Sequence, residues 1–357
     1  MKRHSYRNLL ALASCLNGNP PSGVDWDDII ALANESLTVS SLAVATRNTQ
    51  KVPQDVREYL SLIYERNAER NRRLLAQLTE AVDCLNRIGV EPVIMKGAAI
   101  LLAQESDEIG GRMLTDLDMF VRPADMSASI TALQSIGYQI RLGSGSWPGN
   151  PKFHLPAVLE RPTDAGSIDL HCRPRGPASF GDVEWLYSRS RRIPVAGKHA
   201  YLPSAFAQIV FLILHDQFQD GDYWRGLIDL RHLLDIVKLA RFADIEWEEL
   251  RSLFAAGYER NAVDAQILTA LALFGIDGAS KLSFATLARI QLVRRQLQIE
   301  RNYLATPFTF LTLLTEVFYY RYWDRFGGEP YPSLRQETAR KIREMRRIFR
   351  SKPLGKL

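Results

Sequence analysis

Two aspartates stand one residue apart in "TDLDMFVRP", Asp116 and Asp118, and the same spacing returns in "GSIDLHCRP" as Asp169 and His171. Side chains two positions apart on a strand share a face. Asp116 and Asp118 therefore project together with Leu117 opposite, and Asp169 and His171 do likewise between Ile168 and Leu170. Two carboxylates about 7 Å apart on one strand repel each other and lose hydration when partly buried, so a positive group must compensate. A divalent cation does so, and Mg²⁺ in particular takes carboxylate oxygens together with water and phosphate oxygens. A third carboxylate from a neighbouring strand completes a site for two Mg²⁺ ions about 3.5–4 Å apart, the arrangement used for displacement at phosphorus.

Such chemistry needs a phosphate-binding group, and "VIMKGAAILLA" provides one. Gly97 lets the backbone approach an anion, Ala98 and Ala99 open a helix whose N–H groups favour negative charge, and Lys96 adds a point charge. Arg112, four residues before Asp116, offers a guanidinium fork to the same polyphosphate. Each piece is common alone. Their order, strand, Lys-Gly, helix, Arg, Asp-x-Asp on a strand and a later strand aspartate, is more specific.

The elements around these residues read as helix, then α/β, then helix. "DWDDIIALANES" begins at an aspartate cap, and "VPQDVREYLSLIYERNAERNRRLLAQLTEAVDCLNRIG" is a long periodic helix stopped by Gly89. Strand signals follow in "VEPVIMKG" and "TDLDMFVRP", with a helix in "DMSASITALQSIGYQ". "KFHLPAVLERP" and "GSIDLHCRP" read as a hairpin after the turn-rich "SGSWPGNP", with His154 structural. From Ser204 onward the pattern is helical. The expected fold class is α+β, with 1–88 an N-terminal helical region, 89–200 a small mixed-sheet core and 201–357 a C-terminal helical domain.

Composition narrows the class. At 357 residues and 46% apolar content the chain can build more than one core. Three cysteines without a CxxC pair suit a reducing compartment, and a cytoplasmic location is expected. The N-terminal apolar run is short and broken, unlike a secretory signal, and no stretch approaches the roughly 18 uninterrupted apolar residues of a membrane span. From Tyr331 the chain carries nine Lys or Arg against two Asp or Glu, so the net +5 resides in the tail and the remainder is slightly acidic. Ile342, Met345 and Phe349 give that tail the spacing of an amphipathic basic helix, either docked by its apolar stripe or facing an anionic partner.

The pattern Lys96-Gly97, Arg112, Asp116-Leu117-Asp118, Gly137-Tyr138 and Asp169-Leu170-His171 resembles the bacterial uncharacterised nucleotidyltransferases of the DNA polymerase beta-like superfamily. The resemblance covers about Val90 to Pro174 and extends weakly through His215, Trp224, Asp229 and "IEWEEL". It implies a nucleotidyltransferase core in which Asp116, Asp118 and Asp169 hold Mg²⁺, with two ions, and Asp169 helps deprotonate an acceptor hydroxyl. Lys96, Gly97, Ala98 and Arg112 would hold the triphosphate of an NTP. Gly97-Ala98 departs from the Gly-Ser of the wider superfamily, and Lys96 would take over from the missing hydroxyl. His171 fits either a second layer around the metals or a strand-end histidine satisfied locally. His215, on a helix with Asp216 and Asp220, has metal-like chemistry without a third placed ligand and reads as facing the cleft.

The leading expectation is an Mg²⁺-dependent enzyme moving a nucleoside monophosphate from an NTP to a hydroxyl on a small molecule, peptide or RNA. A tRNA-modifying, toxin-like transferase is the first alternative, guided by the basic tail and the patches "CRPRG" and "SRSRR". A non-catalytic nucleotide-binding partner protein is the second.

Overall fold

The computed structural model describes residues 5–103, 108–142, 157–173, 177, 180, 183–276, 278–316 and 354–357. Its architecture is α+β, in two compact units: Met1–Thr38, Gly176–Gly181 and Leu212–Leu357 form one, and Val39–Arg175 and Asp182–Phe211 the other. His154, the "SGSWPGNP" loop and the basic tail up to residue 353 lie outside the described residues.

The second unit carries one seven-stranded mixed sheet: β1 (Val93–Ile94), β2 (Asp116–Phe120), β3 (Gln139–Leu142), β4 (Ala157–Glu160), β5 (Ser167–His171), β6 (Ser190–Val195) and β7 (Lys198–Pro203). The strand order is β3-β4-β5-β2-β1-β7-β6. β2 runs parallel to β5, and β1 to β7, while the remaining pairs are antiparallel. The β4–β5 hairpin is therefore present as expected. β3, β6 and β7 were not anticipated from the sequence. Ala196 and Gly197 both have positive φ, 48° and 80°, in a two-residue loop between the paired Val195 and Lys198, the twist that a tight hairpin requires. β6 hides its alternation behind arginines: Arg191 and Arg192 are exposed, Ile193 and Val195 buried. Arg192, part of the "SRSRR" patch, grips Glu91 through two bonds of 2.8 and 2.5 Å.

Period-2 alternation divides the two central strands cleanly. Leu117, Met119, Ile168 and Leu170 are fully buried in the larger core, against Leu74, Leu78, Ala81, Val82 and Leu85 of the helix Gln54–Arg87. Those helix positions recur every three or four residues, a stripe wide enough to cover the sheet. The opposite face of β2 and β5 presents Asp116, Asp118, Phe120, Ser167, Asp169 and His171. Phe120 joins Val93, Met95, Leu186, Tyr187 and Phe211 in a smaller apolar cluster.

The first unit is helical. Asp25 caps Trp26–Glu35, accepting from the N–H groups of Asp27 and Asp28, and Asp229 caps Leu230–Phe242 through His232 N–H at 3.0 Å. Tyr258–Phe274 is buried on nearly every side. Trp224 is buried and stacks on Tyr258 with ring centroids 4.6 Å apart. Ile228 and Leu357 exchange two backbone hydrogen bonds, which bring the last residues into this unit. Among the described residues no helix is long and apolar enough to cross a membrane. Cys15, Cys84 and Cys172 are buried free thiols.

Candidate active site

Parallel pairing of β2 and β5 sets Asp118 opposite Asp169, Asp116 opposite Ser167 and Phe120 opposite His171. Asp118 is 4% exposed, so its charge needs partners within the fold. It has two: Lys96 Nζ donates to Oδ1 at 2.7 Å, and His171 Nε2 lies 3.1 Å from the same oxygen. Burial would raise the Asp118 carboxyl, but Lys96 and His171 overcome it and hold the group well below the usual carboxylate range. Lys96 responds in kind: burial opposes its charge, and Asp118, with Asp116 and Asp169 behind it, raises it above the ordinary lysine value.

Among the described residues no cation is paired with Asp169 in this way. Burial, followed by Asp118 and then Asp116, pushes its carboxyl up to about 7, and Lys96 and the Ser167 hydroxyl at 3.4 Å only partly oppose this. Asp118, Asp169 and His171 each offer a ligand atom within 4.8 Å of the others. Asp116 sits at the strand entrance, half-buried, accepting from Thr115 Oγ1 at 3.1 Å. Asp118 and Asp169 with His171 bring two carboxylates and an imidazole to one point, with Asp116 at the edge of that group, and such donors suit a divalent cation. The donor set therefore fits the cation that the sequence pattern implies.

The phosphate-binding candidates gather on the same edge. Lys96 adopts φ +49°, a left-handed backbone rare for a residue with a Cβ, at the start of the helix Lys96–Ala103. Such strain is kept where surrounding structure enforces it, commonly at functional sites. A Cβ on Gly97 would overlap the Arg112 guanidinium, so glycine is needed for that group to lie against the turn. Arg112 is 5% exposed and Ala98 fully buried. The structure thus brings Lys96, Gly97, Ala98 and Arg112 to one helix start, beside Asp118.

Sequence reading missed the device that holds Arg112 there. Asn67 Nδ2 donates to the carbonyls of Gly110 (2.8 Å) and Arg112 (2.9 Å), and Asn71 Nδ2 to those of Ile109 (2.7 Å) and Arg112 (2.9 Å). Arg70 reaches the carbonyls of Leu114 and Ala165, and Gln77 that of Gly166. Burial lowers Arg70, an effect offset in part by Asp116, so a second cation stands near the strand entrance. The available signal was Asn67 and Asn71 four residues apart within the apolar stripe of a long amphipathic helix.

His215 lies in a polar group of the helical unit. On the π-helical turn Leu214–Gln219, Asp216 is fully buried and accepts from His232 Nδ1 at 2.7 Å, His215 Nδ1 at 3.3 Å and Gln266 Nε2 at 3.0 Å. His232 is the third member absent from the sequence reading, and Lys356 already brings an ammonium to Asp216 (3.6 Å), Asp220 (2.9 Å) and Asp222 (2.5 Å). Lys356 is raised well above its ordinary value: burial disfavours its charge, and Asp222, Asp216 and Asp220 outweigh it.

Compared with known protein families, residues 22–275 match the model of the uncharacterised nucleotidyltransferases. The chain belongs to that nucleotidyltransferase family. No curated protein matches it significantly. Among solved structures it resembles the antibiotic-resistance factor ANT(2'')-Ia, at 12% identity and a TM-score of 0.35, over 51% of this chain and 90% of that one. It also resembles an antigenic nucleotidyltransferase-like protein from Paracoccidioides brasiliensis, at 12% identity and a TM-score of 0.33, over 56% and 88%. Membership in the nucleotidyltransferase family rests on the family match, which spans the whole site-bearing sheet.

Proposed function

We propose that this nucleotidyltransferase moves a nucleoside monophosphate from an NTP to an acceptor hydroxyl, releasing pyrophosphate. The observation that carries the reading is the convergence of Asp118 and Asp169 from parallel strands beside the Lys96-Gly97 helix start and the buried Arg112. Asp116, Asp118 and Asp169 would hold Mg²⁺, two ions in the full arrangement. When bound, the cation polarises phosphoryl oxygens and offsets the charge that builds on them.

The remaining work falls to the chain's own groups. Lys96 and Arg112, with the backbone of Gly97 and Ala98, would bind the triphosphate and align its α-phosphorus. Lys96 Nζ, 2.7 Å from Asp118 at the Lys96-Gly97 turn, would donate to a phosphate oxygen of the NTP. The acceptor hydroxyl's proton would pass to an Asp169 carboxylate oxygen. A carboxyl pushed up to about 7 suits that transfer near neutral pH. The bond formed joins the acceptor oxygen to the α-phosphorus, and the bond broken is that to the pyrophosphate oxygen.

The test is pyrophosphate release from each NTP with a panel of hydroxyl acceptors and cell RNA, alongside transfer of α-phosphate label. The expected result is label on one acceptor class, reduced at least ~10³-fold in Asp118→Asn and Asp169→Asn. Label transfer unaffected by both variants would refute the site. Folded protein that yields neither pyrophosphate nor label would favour a nucleotide-binding partner role instead.

A further inference from the structure

We infer that His171 Nε2 is a nitrogen ligand of the proposed cation site, so that the centre is mixed imidazole and carboxylate and admits Mn²⁺ as well as Mg²⁺. The inference rests on the nucleotidyl-transfer reading and assigns His171 a role beyond the three aspartates. Octahedral ligands at about 2.1 Å from a small divalent cation lie roughly 3.0 Å apart along each edge and 4.2 Å across the centre. His171 Nε2 is 3.1 Å from Asp118 Oδ1, an edge of that figure, and ligand atoms of Asp118, Asp169 and His171 fall within 4.8 Å of one another.

Convergence with Asp169 as well is what ligation needs. The strand pairing produces it: His171 lies two residues beyond Asp169 on the same face of β5, diagonal to Asp118 on β2. His171 is 8% exposed, so its ring is held in place by the fold. Lys96 Nζ sits on the same Asp118 oxygen, and the ammonium stands where positive charge is required. Mg²⁺ strongly favours oxygen donors, whereas an imidazole nitrogen improves a site for first-row transition cations, and Mn²⁺ accepts both donor types.

The experiment uses Mn²⁺ as the probe on the full chain. Electron spin echo envelope modulation of bound Mn²⁺ should show one directly coordinated ¹⁴N, converted to the ¹⁵N pattern when histidine is ¹⁵N-labelled. The labelled wild-type chain makes this test independent of any variant's folding. His171→Gln should remove the nitrogen signal and weaken Mn²⁺ at least ~10-fold, with Mg²⁺ affinity changed less than about 3-fold. His215→Gln should leave the signal intact, separating the site from the His215–Asp216–His232 group.

Mn²⁺ bound with no nitrogen coupling, yet lost in Asp118→Asn, would overturn the His171 assignment and leave the transferase reading standing. So would a nitrogen signal that survives His171→Gln and disappears in His215→Gln. Mn²⁺ binding insensitive to both Asp118→Asn and Asp169→Asn, or absent, would overturn the reading and this inference together.

Discussion

Lys96 is the cation paired with Asp118, and removing it has a calculable consequence. Its ammonium lies 2.7 Å from Asp118, with side-chain exposures of 11% and 5%. In Lys96→Met the methylenes are largely kept, while Asp118 remains buried near Asp116 and Asp169 with His171 as its remaining partner. Breaking a buried pair costs about 3–5 kcal/mol, and with the His171 contact kept the lower end of that range, about 3 kcal/mol, applies. For a domain of this size about 3 kcal/mol corresponds to a fall of roughly 6–12 °C in the melting transition of the sheet-bearing unit. The same acids would still be able to bind a cation. Calorimetric unfolding in chelator should therefore show the full loss for Lys96→Met, and added Mg²⁺ or Mn²⁺ should recover most of it, by more than it stabilises the wild type. The double variant Lys96→Met/Asp118→Asn should lose less than Lys96→Met alone. A Lys96→Met protein within ~1 kcal/mol of wild type in chelator, or one indifferent to cations, would refute the charge argument, since that range is ordinary for an exposed pair.

Three further outcomes follow from particular groups. Gly97→Ala places a methyl into the Arg112 guanidinium and should weaken NTP binding about 10-fold or more, roughly the 1.4 kcal/mol that a displaced phosphate contact costs, measured by titration calorimetry. Asp169 has a folded pKa of about 7 against an ordinary 3.8, so the folded state binds the extra proton between those values; metal-free stability should fall as pH rises from about 4 to 7 and level off above, and saturating cation should flatten that slope in chemical-denaturation series. Lys356→Met removes the ammonium shared by Asp216, Asp220 and Asp222 in the helical unit and should cost about 3–5 kcal/mol, with Lys356→Met/Asp222→Asn less affected, by the same denaturation measurement.

Much of the site is written locally. Asp116, Asp118, Asp169 and His171 declare their faces by alternation with Leu117, Ile168 and Leu170, and pairing of β2 with β5 needs no more than those two runs. The Lys96-Gly97 turn is equally local, although the +49° φ at Lys96 is enforced by what surrounds it and leaves no mark in composition. Elements set by distant partners were harder to read. β6 and β7 pair around Ala196-Gly197, but arginines on the exposed side of β6 mask its buried Ile193 and Val195. Asn67, Arg70 and Asn71 look like ordinary polar positions of a long helix until the loop Ile109–Leu114 is laid across them. The helical unit shows the same limit: His232 and Lys356 reach Asp216 from 16 and 140 positions further along the chain, a separation that no local spacing encodes.

The most direct test of the central claim is equilibrium binding of a non-hydrolysable NTP to the full chain, with and without divalent cation, in wild type and Asp118→Asn. Binding that requires the cation and is lost in Asp118→Asn is the predicted result. Tight binding without cation, or binding unchanged by Asp118→Asn, would contradict a phosphate site built on Lys96, Arg112 and the paired strand carboxylates.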